Sequence, residues 1–301
     1  MVPATTSILH SFAGATTDGS SPAFGRLMED SNGNLFGTAN LGGAGNQGAV
    51  FELVKSGNSY TENVLYSFAG GTSDGASPNG GLIADGNGNL FGTTTFGGAG
   101  NQGTVFELVK SSSSYTEKVL YSFAGGSDGA NPYGTLIMDG NGNLFGTTDH
   151  GGGSGVGTVF EMVKNGSGYN APTILHSFAD GSDGAFLQFG VIADGNGDLF
   201  GTTNQGGNAS SDGTVFELVK GVSGYTKITL YSFAGGTSDG AGPYGTLFMD
   251  GNGNLFGATH GGGRAVRARF TSWPRAAAAT PRLSFIPSPA APPTGASLTP
   301  A

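Results

Sequence analysis

Apolar residues along this chain fall into short, strand-length runs, with clusters of Gly, Asn, Asp and Ser between them. Over residues 80–132 the runs read GGLIAD, NLFGTTT, GTVFELVK and YTEKVLYSF. GNG, FGGAGNQ and SSSS separate them, and AGGSDGANP closes the unit. Bounded runs of this kind, rich in Val, Phe, Thr and Tyr, predict strands joined by tight turns. Alternate residues of a strand face opposite sides of its sheet. In Thr104–Lys110 that places Phe106 and Leu108 on one side and Val105 and Val109 on the other. A sheet apolar on both faces must be covered on both.

The pattern repeats. Ser-Phe ends an apolar run at Phe12, Phe68, Phe123, Phe178 and Phe233, at spacings of 56, 55, 55 and 55. Four short strands at such a period predict an all-β fold, a β-propeller of four-stranded blades stacked radially. A parallel β-solenoid is the alternative, but its coils are shorter and lack the hairpin rhythm. Residues 1–263 form the repeat region, with units at about 13–68, 69–123, 124–178, 179–233 and an incomplete 234–263. The count is about five blades, read as part of a longer propeller. A lone fourth strand at Ser7–Phe12 is placed to complete the last blade and remove a free edge.

The units resemble the Gloeo-Verruco ("GloVer") tandem repeat of bacterial proteins. The motif that carries this is Leu-Tyr-Ser-Phe, then Asp-Gly and Pro, then Asn-Leu-Phe-Gly-Thr-Thr, then Gly-Gly and Gly-Thr-Val-Phe-Glu-Leu, from about Ile8 to Gly263. The resemblance implies an extracellular or cell-surface repeat protein with no known catalytic residues. No signal peptide or sorting signal is visible in this chain.

Composition narrows the picture. Glycine makes up 59 of 301 residues, without the strict every-third period of collagen. Charged residues are 11% and aromatic residues 10%, the reverse of a disordered chain. The net charge is −9, and all 21 acidic residues lie at or before Asp250. Such an acidic body argues against nucleic acid as a partner. No apolar run is long enough to insert in a membrane. There is no cysteine, hence no thiolate chemistry. A glycan or a surface protein is the partner class that fits, and the oligomeric state is open.

From Arg264 the character changes. Residues 264–301 hold seven of the thirteen prolines, five of the twelve basic residues and the single tryptophan. One reading is a disordered Pro/Ala/Arg-rich stalk. The other is a frameshift near Arg264. A shifted frame can encode a Gly-Thr-Val strand and a Ser-Phe 55 residues after Phe233.

Candidate chemistry is sparse. DGNGNLFGTT at Asp85–Thr94, with near-copies at Asp30, Asp139, Asp194 and Asp250, carries oxygen side chains at alternate positions. A calcium loop of the EF type needs Gly at position six and Glu at twelve, where Leu90 and Phe96 stand. Asn-Gly between two strands is instead a hairpin signal. The recurring Asp-Gly residues Asp18, Asp74, Asp128, Asp183 and Asp239 fall in the loops after the fourth strand. They form either a ligand-binding acidic ring or a set of turn caps. On the same face the residues before Gly-Gly vary, giving Asp149, His150, Gln205 and His260 as further binding candidates. His10 and His176 replace the Tyr of Leu-Tyr-Ser-Phe and are read as packing variants. Glu52, Glu107, Glu161 and Glu217, within the third strand, are read as structural. No catalytic residue, metal spacing, phosphate loop or cofactor fingerprint emerges. The function expected is a binding or structural module. The alternative is a polysaccharide-acting enzyme or lectin using the loop face.

Overall fold

The computed structural model describes residues 7–14, 16, 18–22, 25–112, 114–237 and 239–262, and the backbone of 268–269. The tail reading from Arg264 lies outside these except at that backbone pair. Among the described residues there are strands and one short 3-10 turn, and no α-helix. Among the same residues, no helix is long and apolar enough to cross a membrane.

The second unit shows the pattern. Its strands Ile83–Ala84, Leu90–Thr94, Thr104–Lys110 and Tyr115–Ser122 lie in the order fourth, third, second, first, all antiparallel. The first, third and fourth units repeat this meander. The fifth pairs Phe248–Met249 with Leu255–Phe256, and Ala258–Gly262 with Ala268–Arg269.

Three features differ from the sequence reading. First, the segment after Asp-Gly is not merely loop. Gly19–Pro22, Ala130–Pro132 and Gly240–Pro243 pair with the far end of their second strands, and Gly75–Ala76 pairs with Phe96–Gly97. At Gly75 only glycine fits, because a Cβ there would lie 2.4 Å from Thr94 Cγ2. Second, Ser7–Phe12 forms no strand. A fourth strand needs a third strand to bond to, and of the chain that would follow Gly262 only the backbone of 268–269 is described. Third, Val109 is 38% exposed, because it lies beyond the covered part of its sheet, where the third strand approaches its hairpin.

The core lies between successive sheets. Phe106 and Leu108 pack on Phe36, Val50 and Phe68 of the preceding unit, while Val105 packs on Leu144 and Phe160 of the next. Each Ser-Phe ring meets the third-strand Phe of the following unit edge-on: Phe68–Phe106 at 5.1 Å, Phe123–Phe160 at 5.4 Å and Phe178–Phe216 at 5.1 Å. Phe12 makes the same contact with Phe51 at 5.0 Å, although its backbone is not in a strand. Edge-to-face pairs of this kind add to the area they bury.

The first strands of the five units come together around one cavity of about 1010 Å³. Arg26, Leu82, Tyr133, Phe189 and Leu247 are among its walls. There the chain packs backbone on backbone. Thr38 Oγ1 donates to Gly80 O at 2.8 Å and Thr147 Oγ1 to Phe189 O at 3.1 Å, each crossing to the next unit. A Cβ on Gly134 would lie 2.2 Å from Gly190 N.

Candidate functional site

The opening hairpin holds its own carboxylate. Asp85 Oδ1 accepts the N–H groups of Asn87 and Asn89 at 2.9 Å each, and its Oδ2 accepts Asn89 Nδ2. Gly88 sits at φ 80°, the left-handed backbone that the turn requires. Asp30, Asp139, Asp194 and Asp250 make the same pair of backbone bonds. Asn89 Oδ1 then takes the N–H of Lys110, tying the hairpin to the third strand. The motif thus directs its oxygens inward to its own turn, a structural role.

The Asp-Gly carboxylates form a second repeated device, at the junctions between units. Asp74, Asp128, Asp183 and Asp239 each accept the N–H of the residue following Ser-Phe, at 2.7–2.9 Å. Asp18 does so from Ala13. Each also takes a side-chain bond from the residue two before that Phe. The donors are Tyr66 at 3.0 Å, Tyr121 at 3.0 Å, Tyr231 at 2.8 Å and the imidazole Nε2 of His176 at 3.0 Å. His10 Nε2 lies 3.4 Å from Asp18 Oδ1. The histidines therefore stand in for tyrosine as partners of the Asp. A recurring β-bulge, Leu120 beside the Val105–Tyr121 pair in the second unit, turns the fourth strand just before this residue.

A third residue completes some junctions, from the fourth strand of the following unit. At Asp183 it is Lys227, whose Nζ lies 2.9 Å from Asp183 Oδ1 and donates to Asp183 O. Lys227 and His176 hold Asp183 below its ordinary range against the opposing effect of burial. At Asp74 it is Glu117, raised to about 7 by burial first and by the Asp74 charge second. Glu117 Oε1 is buried without a hydrogen-bond partner. At Asp18 it is Glu62, raised to about 7 by burial and its bond to Asp18.

A different group adjoins the cavity through Tyr133 and Phe189, which are among its walls. His150 Nδ1 lies 3.0 Å from Asp149 Oδ2, and the His150 ring meets Phe186 at 5.3 Å. Phe189 meets Tyr244 at 5.0 Å, and Tyr244 meets His260 at 6.0 Å. Tyr133 stands between, close enough to feel both Tyr244 and Asp149, though burial is the larger cause of its raised pKa. Burial also raises Asp149, against the pull of His150. Asp149 Oδ1 is buried with no hydrogen-bond partner. Gln205 is exposed, and its backbone bridges to Ala185 beside Phe186.

The structure thus pairs Asp149 with His150 and sets His260 beside Tyr244, with Tyr133 as the link between the two, and leaves the five Asp-Gly carboxylates engaged within their own junctions. Sequence reasoning missed Tyr133, Phe186, Phe189 and Tyr244. A signal was there: near the start of the first strand, Asn79, Tyr133, Gln188 and Tyr244 vary at one repeat position. Phe186 is the sharper case. It has φ 61°, at a position where the other units place Ser21, Ser77, Asn131 and Gly242. A bulky residue in left-handed backbone costs on the order of 1–3 kcal/mol.

Comparison with known proteins bears on fold and family. No curated protein matches the chain. A solved structure of a candidate 6-phosphogluconolactonase from Bacteroides uniformis is similar over 86% of this chain and 69% of that one, with a TM-score of 0.52 and 15% identity. An endo-1,4-beta-xylanase from Bacteroides thetaiotaomicron is similar over 92% of this chain and 97% of that one, with a TM-score of 0.47 and 12% identity. At these identities the first likeness concerns the fold alone, and the second is too weak to argue from. The family model described as the Gloeobacter/Verrucomicrobia repeat matches residues 1–196, spanning the first three units and part of the fourth. The chain belongs to the Gloeobacter/Verrucomicrobia repeat family.

Proposed function

We propose that this chain is built as a β-propeller of four-stranded blades and serves as an extracellular or surface binding module, with a glycan held on the loop face beside the cavity. The carrying observation is the aromatic and polar group of Tyr133, Asp149, His150, Phe186, Tyr244 and His260, drawn from three successive units. The features common to the units, the Asx hairpins and junction aspartates, have structural partners. The residues that vary adjoin the cavity through Tyr133 and Phe189, which line it. Ring faces beside a carboxyl and imidazoles suit a sugar, which presents apolar C–H faces and hydroxyls together. The full chain on a glycan array tests this. A saturable ligand is expected, weakened at least tenfold by Tyr244→Ala and by Phe186→Ala. A folded chain that retains no glycan, or variants that bind as well as the parent, would refute the reading.

The second reading, an enzyme acting on polysaccharide, is favoured by one observation: the raised, buried carboxyl of Asp149 beside His150. A general acid needs such a carboxyl. Release of reducing ends from the bound glycan, abolished by Asp149→Asn, would favour it. Unaltered glycan after prolonged incubation would leave the binding module.

A further inference from the structure

The junction before the first unit combines groups that no other described junction combines: like the Asp74 junction it sets a second carboxylate beside the Asp, but it has His10 where that junction has Tyr66. At the Asp183 junction a cation is built in: the Lys227 ammonium, 8% exposed, lies against Asp183 with His176 on the other side. At the first junction the corresponding residue is Glu62, 7% exposed. The exchange replaces a buried positive charge with a second carboxylate beside Asp18. Buried charges of one sign require a compensating partner.

The three groups are arranged to accept one. His10 Nε2 lies 3.4 Å from Asp18 Oδ1 and 3.4 Å from Glu62 Oε2. One ligand atom from each of His10, Asp18 and Glu62 falls within 4.8 Å of the other two. In a tetrahedral site with metal–ligand bonds near 2.0–2.1 Å, neighbouring ligand atoms stand about 3.4 Å apart. Each carboxylate is also oriented by its other oxygen. Asp18 Oδ2 accepts Ala13 N, and Glu62 Oε1 accepts Gly19 N at 3.2 Å. Backbone donors that hold the distal oxygen of a ligand are what a metal site needs around its ligands.

We propose that His10, Asp18 and Glu62 form a three-ligand site for a divalent transition metal of the zinc class, with the remaining position open to water. An imidazole with two carboxylates favours such an ion over Mg²⁺ or Ca²⁺, which take oxygen ligands only. The site joins three pieces of chain: the N-terminal segment, the Asp-Gly turn and the fourth strand Ser59–Ser67. Residues 7–12 have no strand ladder to hold them, and the metal clips them to the first unit. Here His10 acts as a ligand rather than a packing substitute for tyrosine.

Chelator-stripped full-length protein titrated with ZnCl₂ tests the assignment by calorimetry and thermal melting. One tight equivalent is expected, with a rise in melting temperature and no competition from excess MgCl₂. His10→Tyr installs the residue that three other junctions use, and Glu62→Lys installs the Lys of the Asp183 junction. Both variants are therefore expected to fold without metal and to bind Zn²⁺ at least 100-fold more weakly. His176→Tyr is expected to bind as the parent does. The proposal is overturned if the parent takes up no Zn²⁺, or if both variants bind like the parent. It is equally overturned if the equivalent persists in His10→Tyr and disappears in His150→Gln, which would place the ion beside Asp149.

Discussion

Replacing Glu117 with Gln should stabilise the protein at alkaline pH and leave it unchanged in acid. Burial, and to a lesser degree the neighbouring Asp74 charge, moves this carboxyl from its ordinary value of 4.5 to about 7. In the folded chain it keeps its proton to near neutrality, whereas in the unfolded chain it loses it near pH 4.5. Between those values the folded state binds more protons than the unfolded state, so stability falls as pH rises and stays lower above pH 7. A full shift of this size corresponds to roughly 3 kcal/mol. Glu117 is only partly buried, and solvent screening reduces the usable part to about 1–2 kcal/mol. Gln carries no charge, and its amide can donate toward Asp74, so the variant escapes the penalty. Urea unfolding of parent and variant at pH 5 and pH 8 measures it. The expected result is little difference at pH 5 and a gain of about 1–2 kcal/mol for the variant at pH 8. A difference that is flat across this range, or that grows on acidification, would sink the argument. It would mean that Glu117 is ionised and solvated in the folded chain.

Two other outcomes follow from the same structure. Phe123→Ala removes a ring that is 0% exposed and packed on Phe160 of the next unit; it should cost about 3–5 kcal/mol in chemical unfolding, and a loss below about 1 kcal/mol would show that successive units are not coupled through these rings. Phe186→Asn gives the strained turn the residue found at Asn131; its melting temperature should hold or rise while glycan retention falls, and a clear drop in melting temperature would assign Phe186 to the core instead.

Much of the architecture was legible because it is local. Period-two alternation, Asn-Gly turns and a fixed 55-residue spacing each act within a few residues, and together they marked the four strands of each unit. The extra strand after Asp-Gly was not legible, since residues such as Gly75 and Ala76 carry no apolar signature and are held by the chain they pair with. The lone fourth strand at Ser7–Phe12 failed for a related reason. Its sequence matches the other fourth strands, but a strand is a pairing, and pairing depends on a partner distant in the chain. The site was legible only in halves. Asp149, His150 and His260 could be picked out as variable loop residues. Phe186 comes from the following unit, and only the stacking of successive units sets it against His150, while Tyr244 reaches His260 through strand pairing within their own unit. The junctions show the same limit more strongly. His10 aligned with tyrosines and was read as one of them. What distinguishes it from His176 is Glu62, fifty-two residues away and set against Asp18 by the fold, where the Asp183 junction has Lys227. In a repeat protein a motif shows what every unit must do to stack. What one unit does differently is written in pairs of residues that meet across a junction, and those pairs become visible when equivalent junctions are compared for charge.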